Sequence, residues 1–164
     1  METWSKCTME DAGLNYDFIQ DNHSYSATKG VLRGLHLQLG ESAQAKLVRC
    51  TKGTVFDVVA DLRTGSPTFK QWFRVELSAE NKRQLLIPRG FAHGFLTMTD
   101  DVEFEYKVDN YYNQSAERTI LWCDPELAVD WGVDNPILSE KDRMAPLLSE
   151  LELEIDFVYL RKNN

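Results

Sequence analysis

Apolar and polar residues alternate with period two along several stretches of the chain, the pattern of strands that bury one face. Phe56, Val58, Ala60 and Leu62 share one face of the first clear stretch. Phe69, Gln71, Phe73, Val75 and Leu77 share a face of the next, opposed by Lys70, Trp72, Arg74 and Glu76. Val102, Phe104, Tyr106 and Val108 then alternate with Glu103, Glu105 and Lys107. Turn formers separate these runs: Lys52-Gly53, Thr64-Gly65-Ser66-Pro67 and Pro88-Arg89-Gly90. Many short strands at such spacing predict an all-β, double-sheet fold of the jelly-roll kind. Helix is expected only near the ends. Ser139-Glu140-Lys141-Asp142 reads as an N-cap followed by an acid at the third helical position, and Pro146 keeps that helix short. The tail Leu151–Phe157 alternates with period two, yet its Leu/Glu composition favours helix, so pattern and composition disagree there.

Length and composition narrow the picture. A chain of 164 residues is long enough for one sizeable core and short for two, so residues 1–164 are expected to form one domain. Hydrophobic residues make up 43% of the chain, but no run approaches the ~18 apolar residues of a membrane span. Met1–Asp11 carries Glu2, Lys6, Glu10 and Asp11 with no apolar stretch, which leaves the cytoplasm as the expected location. Three cysteines, Cys7, Cys50 and Cys123, show no CxxC pairing and argue against a disulfide framework or a zinc site. A net charge of −8 without a Lys/Arg stripe speaks against nucleic acid as a partner. A small anion remains possible where a few cations converge.

Few residues are equipped for chemistry. Of three histidines, His36 and His93 sit in distinctive segments, Val31-Leu32-Arg33-Gly34-Leu35-His36-Leu37-Gln38 and Pro88-Arg89-Gly90-Phe91-Ala92-His93-Gly94-Phe95. His36 is expected to share a strand face with Leu32 and Gln38, with Arg33 on the other side unless a bulge intervenes. A histidine there is either a general base, because free imidazole titrates near pH ~6.5, or a core histidine bonded to a carbonyl. An iron, manganese or zinc site would need two or three histidines with a carboxylate, and the residue two past His36 is Gln38, so no metal is expected. Lys46 opens Lys46-Leu47-Val48-Arg49-Cys50; it stabilises an enolate oxygen if it faces the interior and is an ordinary edge lysine if it faces solvent. Tyr106 lies on the apolar face of its strand, as a core tyrosine or a proton donor. Asp142 is a helix-capping acid or a partner for a base.

Several segments, in one order, resemble a known family. Gln20-Asp21-Asn22-His23-Ser24, Val31–His36, Lys46–Cys50, Ser78-Ala79-Glu80-Asn81-Lys82-Arg83-Gln84, Pro88–Phe95 and Asn110-Tyr111-Tyr112 are similar to dTDP-4-dehydrorhamnose 3,5-epimerases from about Gln20 to Leu148. The resemblance implies a cupin-like jelly roll (double-stranded β-helix), a homodimer, and a substrate that is a dTDP-4-keto-6-deoxy sugar epimerised at C3 and C5. No cofactor is implied, and the chain has no GxGxxG for a nicotinamide. By position His36 resembles the family's general base, Asp142 the carboxylate that orients it, Tyr106 the acid that reprotonates the opposite face, and Lys46 the cation near the C4 oxygen. Arg33, His93 and Lys141 resemble sugar and diphosphate contacts. Gln20, Asn22 and Glu117 correspond to positions around the nucleotide, and Tyr112 to one lining the base or sugar pocket.

The family pattern starts with a further strand carrying a nucleotide-binding arginine, in a segment like Asp-x-Arg-Gly-x-Phe that packs against the partner subunit. Met1-Glu2-Thr3-Trp4 resembles the end of that segment, so the strand is expected to be missing here and Glu2 to be its remnant contact. Two other functions share the motifs: a single-carbon epimerase on a related dTDP-4-keto sugar, and a nucleotide-sugar-binding homologue without activity. Retention of His36, Lys46, Tyr106 and Asp142 together speaks for an enzyme.

Overall fold

The β-branched and aromatic segments form ten strands in the computed structural model, which describes residues 1–157. In chain order they are β1 (Gln20–Ser26), β2 (Val31–Gln38), β3 (Lys46–Lys52), β4 (Thr54–Asp61), β5 (Trp72–Ser78), β6 (Gln84–Ile87), β7 (Phe91–Thr97), β8 (Val102–Val108), β9 (Glu117–Thr119) and β10 (Ile137–Leu138). Two short helices, α1 (Lys6–Asp11) and α2 (Glu140–Arg143), lie near the two ends, as the pattern suggested. Positions 158–164 of the expected 1–164 domain lie outside the described residues.

The strands make two sheets, the architecture of the cupin-like jelly roll. One has the order β1-β8-β3-β6; the other runs β10-β2-β7-β4-β5, with β9 also pairing β2. All pairings are antiparallel except that of β10 with β2. The inner faces meet in a cluster that includes Val48, Val55, Leu77, Phe95, Val102 and Phe104. Phe104 is fully buried and stacks on Phe95 with ring centroids 4.3 Å apart. Burying a side chain of this size is worth ~1.5–3 kcal/mol, so this stack anchors the two sheets to each other.

A second cluster covers the outer face of the larger sheet. Leu32, Val58, Ala60 and Leu96 from the strands pack there against Ile120, Leu127, Trp131 and Ile155 from the later chain. Strand β4 is therefore buried on both sides. Val58, Ala60 and Leu62 share one face as the alternation predicts, but the intervening Asp57, Val59 and Asp61 are buried as well.

One expectation changes, and one open reading is decided. The second alternating run does not begin at Phe69: β5 starts at Trp72, and residues 66–71 form turns in which Phe69 N donates to Ser66 O and Gln71 N to Thr68 O. The cause is Asp61, whose buried carboxylate accepts bonds from Arg63, Ser66 Oγ and Thr68 Oγ1 and so folds the loop back on itself. Phe69 and Phe73 end up exposed. The tail Leu151–Asp156 is a strap rather than a helix. Thr64 N donates to Ile155 O at 2.7 Å, Asp156 bridges Thr64, and Ile155 is buried.

At the other end, Thr3 and Trp4 lie on the outer face of the smaller sheet. Gln84 Nε2 donates to Thr3 O at 2.7 Å, and the Lys107 ammonium sits 5.2 Å from the centre of the Trp4 ring. Ser5 caps α1 by accepting a bond from Thr8 N. Among the described residues, no helix is long and apolar enough to cross a membrane.

Candidate active site

The site begins with a close crossing of two strands. Gly34 of β2 has φ 131°, and a Cβ there would stand 2.5 Å from Gly94 Cα and 2.9 Å from His93 O of β7. A Cβ on Gly94 would stand 2.7 Å from Arg33 O. Only glycine at both positions allows this approach. Beside it the ladder register shifts, from Arg33 opposite Phe95 to His36 opposite His93. The bulge corrects the expected facing: Leu32, Leu35 and Leu37 pack in the outer cluster, while Arg33 and His36 both line a cavity of about 300 Å³ at the end of the barrel. Gln38 turns from the outer cluster too. Its Nε2 donates to Ser42 O and Tyr111 O and its Oε1 accepts from Asn113 N, which fixes the loop carrying Tyr112.

The cavity gathers most of the residues singled out in the sequence. Arg33, His36, Lys46, His93, Tyr106, Lys141 and Asp142 line it, with Phe95 and Phe104 as apolar floor. His36 Nε2 meets Asp142 Oδ1 at 2.6 Å, and Asp142 Oδ2 accepts from Ser139 Oγ at 2.6 Å. Asp142 is thus the partner of the histidine, while the cap of α2 is Ser139, whose Oγ accepts from Asp142 N. Burial tends to raise the Asp142 carboxyl, but the bonds from His36 and Ser139 outweigh it and hold the group below the ordinary carboxylate range.

Tyr106 projects from β8 in the smaller sheet, across the cavity from His36 on β2 in the larger one. Burial raises its hydroxyl above the usual phenol value. Lys46 enters from β3; it faces the cavity, not solvent. Burial pushes its ammonium down to about 8, against the pull of Asp57 and Glu117. His93 is buried and bonds Asp57 Oδ2 through Nε2 at 2.9 Å. Its imidazole is lowered by burial, which exceeds the opposing effect of Asp57.

The remaining residues form a rim or lie apart. Lys141 Nζ pairs with Glu117 Oε1 at 2.6 Å, and Tyr112 OH donates to Glu117 Oε2 at 3.1 Å, with Tyr112 exposed. Burial, the largest single influence, would raise Glu117, but the bond and charge of Lys141, the Tyr112 bond and the charge of His36 together outweigh it and lower the group. Gln20 Nε2 donates to Asn22 Oδ1 at 2.9 Å on β1, and Asn22 is the ladder partner of Tyr106. Glu2 is not brought to the cavity of its own chain. It lines a hollow on the outer face of the smaller sheet with Thr3, Trp4 and Leu86, and accepts from Thr8 Oγ1.

Sequence reasoning missed two groups that the structure places against the set, Ser139 and Asp57. The first reads as a helix cap and is one; nothing in the pattern signals its second bond. Asp57 occupies a polar position of an alternating strand, where solvent is the natural expectation.

In an acidic chain this cavity concentrates Arg33, Lys46 and Lys141 beside an imidazole–carboxylate pair and a tyrosine, a setting for moving protons on an anionic substrate. Fold and site together define a jelly-roll enzyme of the acid–base class. The chain belongs to the dTDP-4-dehydrorhamnose 3,5-epimerase family, whose model matches residues 1–150. It is 57% identical over 143 residues to the dTDP-4-dehydrorhamnose 3,5-epimerase of Shigella flexneri, covering 87% of this chain and 78% of that one. The crystal structure of the Bacillus anthracis enzyme with TDP and pyrophosphate bound superposes with a TM-score of 0.88 at 51% identity, covering 90% of this chain and 84% of that one. The Legionella pneumophila enzyme, solved with dTDP-4-keto-L-rhamnose, gives a TM-score of 0.87 at 47% identity, covering 92% and 80%.

Proposed function

We propose that this chain inverts C3 and C5 of dTDP-4-keto-6-deoxyglucose and releases dTDP-4-keto-rhamnose. The observation that carries the reading is that His36 and Tyr106 line one cavity from opposite sheets, with Lys46 lining it from the strand beside that of Tyr106. A 4-keto group acidifies the C–H bonds on either side of it. His36 removes the proton from C3 or C5, and the electron pair moves onto the C4 oxygen as an enolate. Lys46 neutralises that oxyanion, which is stabilised more strongly in this partly dry site than it would be in water. Tyr106 then delivers a proton to the opposite face of the same carbon, inverting it, and exchange with solvent resets both groups. A positioned acid or base is worth ~10²–10⁴-fold in rate. Asp142 holds the ring of His36 through the bond to its Nε2.

Polar and charged side chains around the cavity supply binding. Arg33, His93 and Lys141 meet the sugar and diphosphate, Gln20, Asn22 and Glu117 surround the nucleoside, and the exposed ring of Tyr112 stacks on the base or sugar. Glu2 lies too far round the molecule to serve its own cavity and contacts nucleotide in that of a second copy, so a homodimer is part of the proposal. The cytoplasm, where nucleotide sugars are made, is its proposed location.

Turnover in heavy water tests the reading. Each enolisation followed by reprotonation leaves one solvent deuteron on the sugar. Mass spectrometry and NMR should find two, at C3 and at C5. A single labelled carbon would make the chain a mono-epimerase, and no label from folded protein would remove the catalytic reading altogether.

A further inference from the structure

Asp57 is fully buried, and the reaction as described leaves it without a task. Its Oδ2 meets His93 Nε2 at 2.9 Å, while its Oδ1 is buried and has no hydrogen-bond partner. A buried carboxylate oxygen left unpaired is costly and calls for a reason. On the facing sheet the Lys46 ammonium has no hydrogen bond or ion pair among the described residues. The other charged groups around Lys46 are largely committed elsewhere. His36 is bonded to Asp142, and Glu117 to Lys141. Arg33 and Tyr106 offer no negative charge in the resting site. Of the charges acting on Lys46, Asp57 gives the strongest attraction, ahead of Glu117, and Lys141 repels. His93 suits this arrangement. Burial keeps its imidazole neutral, so it donates one hydrogen bond to Asp57 and leaves the carboxylate charge uncancelled.

We propose that Asp57 is a positioning residue of the epimerase: its buried carboxylate, clamped by His93, is the fixed counter-charge that keeps Lys46 protonated before substrate arrives. The cation is then in place when the enolate forms, without reorganisation at that moment. This rests on the proposed function of the cavity, because Lys46 needs its charge for the oxyanion.

Asp57→Asn tests it. The amide keeps the size of the side chain, and its oxygen can still accept the His93 bond, so charge is the main loss. NMR titration of the protein labelled with ¹³C at lysine Cε, with the Lys46 signal assigned by its disappearance in Lys46→Arg, reads the ammonium directly and needs no substrate. Lys46 should titrate at about 8 in the native chain and about one unit lower or more in the variant. The alkaline limb of kcat/KM, which reports the free enzyme, should move by the same amount. Activity then falls about fivefold at pH 8 and little at pH 6, as a one-unit shift requires. Asp57→Ser is a second neutral variant if the amide does not fold. A folded neutral variant whose Lys46 titrates where the native one does overturns the proposal, as does a loss of activity equal at both pH values. If the native chain does not turn over the nucleotide sugar, the reaction is wrong while the titration still decides the pairing.

Discussion

In the proposed reaction His36 and Tyr106, on opposite walls, make different demands on the same carbon, and single substitutions separate them. His36→Ala removes the group that takes the proton, so both inversion and deuterium exchange should disappear. Tyr106→Phe removes only the proton donor on the other face. Enolisation by His36 then continues, and proton return from the same side restores the starting configuration, so wash-in of solvent deuterium should persist while inversion falls ~10²-fold or more. Product by chromatography and label by mass spectrometry from one reaction check both. Equal loss of exchange and inversion in Tyr106→Phe would contradict a donor role. At this scale residue type alone left His36, Lys46, Tyr106 and Asp142 each with two readings, the family resemblance singled them out together, and all four line one cavity. Asp57 was not singled out, because alternation assigns a polar residue between Phe56 and Val58 to solvent, whereas its face of β4 is the one turned toward the smaller sheet.

What delivers His36 and Arg33 to the same side is an element, the bulged crossing of β2 over β7 at Gly34 and Gly94. The sequence shows both glycines, yet period-two reasoning could place Arg33 and His36 on opposite faces only on condition that no bulge intervened, and one does. The loop after β4 escaped for a related reason: the apolar spacing of Phe69 and Phe73 continues that of β5, but the bonds to Asp61 are stronger than the local β-preference. Gly34→Ala probes the crossing. Its methyl would meet two backbone atoms of β7 at under 3.0 Å, in a φ region that L side chains rarely adopt. The expected loss is about 2–4 kcal/mol in urea unfolding, with a fall in kcat from displacement of His36. Wild-type stability and kcat in this variant would mean that the strands separate without cost and that the crossing does not set the site.

Across the whole molecule, the chain carries a net charge of −8 and still presents Arg33, Lys46 and Lys141 in one cavity. A nucleotide sugar carries two negative charges on its diphosphate, and these three cations attract it to the cavity. The composition showed the first half of this contrast; the second depends on strands far apart in sequence meeting at one barrel end. Salt acts on these cations unequally. The attraction of the exposed Lys141 for the diphosphate is screened once the Debye length falls from about 10 Å at 0.1 M to about 3 Å at 1 M. The buried interaction of Lys46 with the enolate oxygen is screened much less. Raising salt from 0.1 to 1 M should therefore increase KM several-fold and leave kcat nearly unchanged, in steady-state assays at pH 7. If kcat falls with KM constant, the charge that matters to the reaction is exposed, and a dry oxyanion site around Lys46 is excluded.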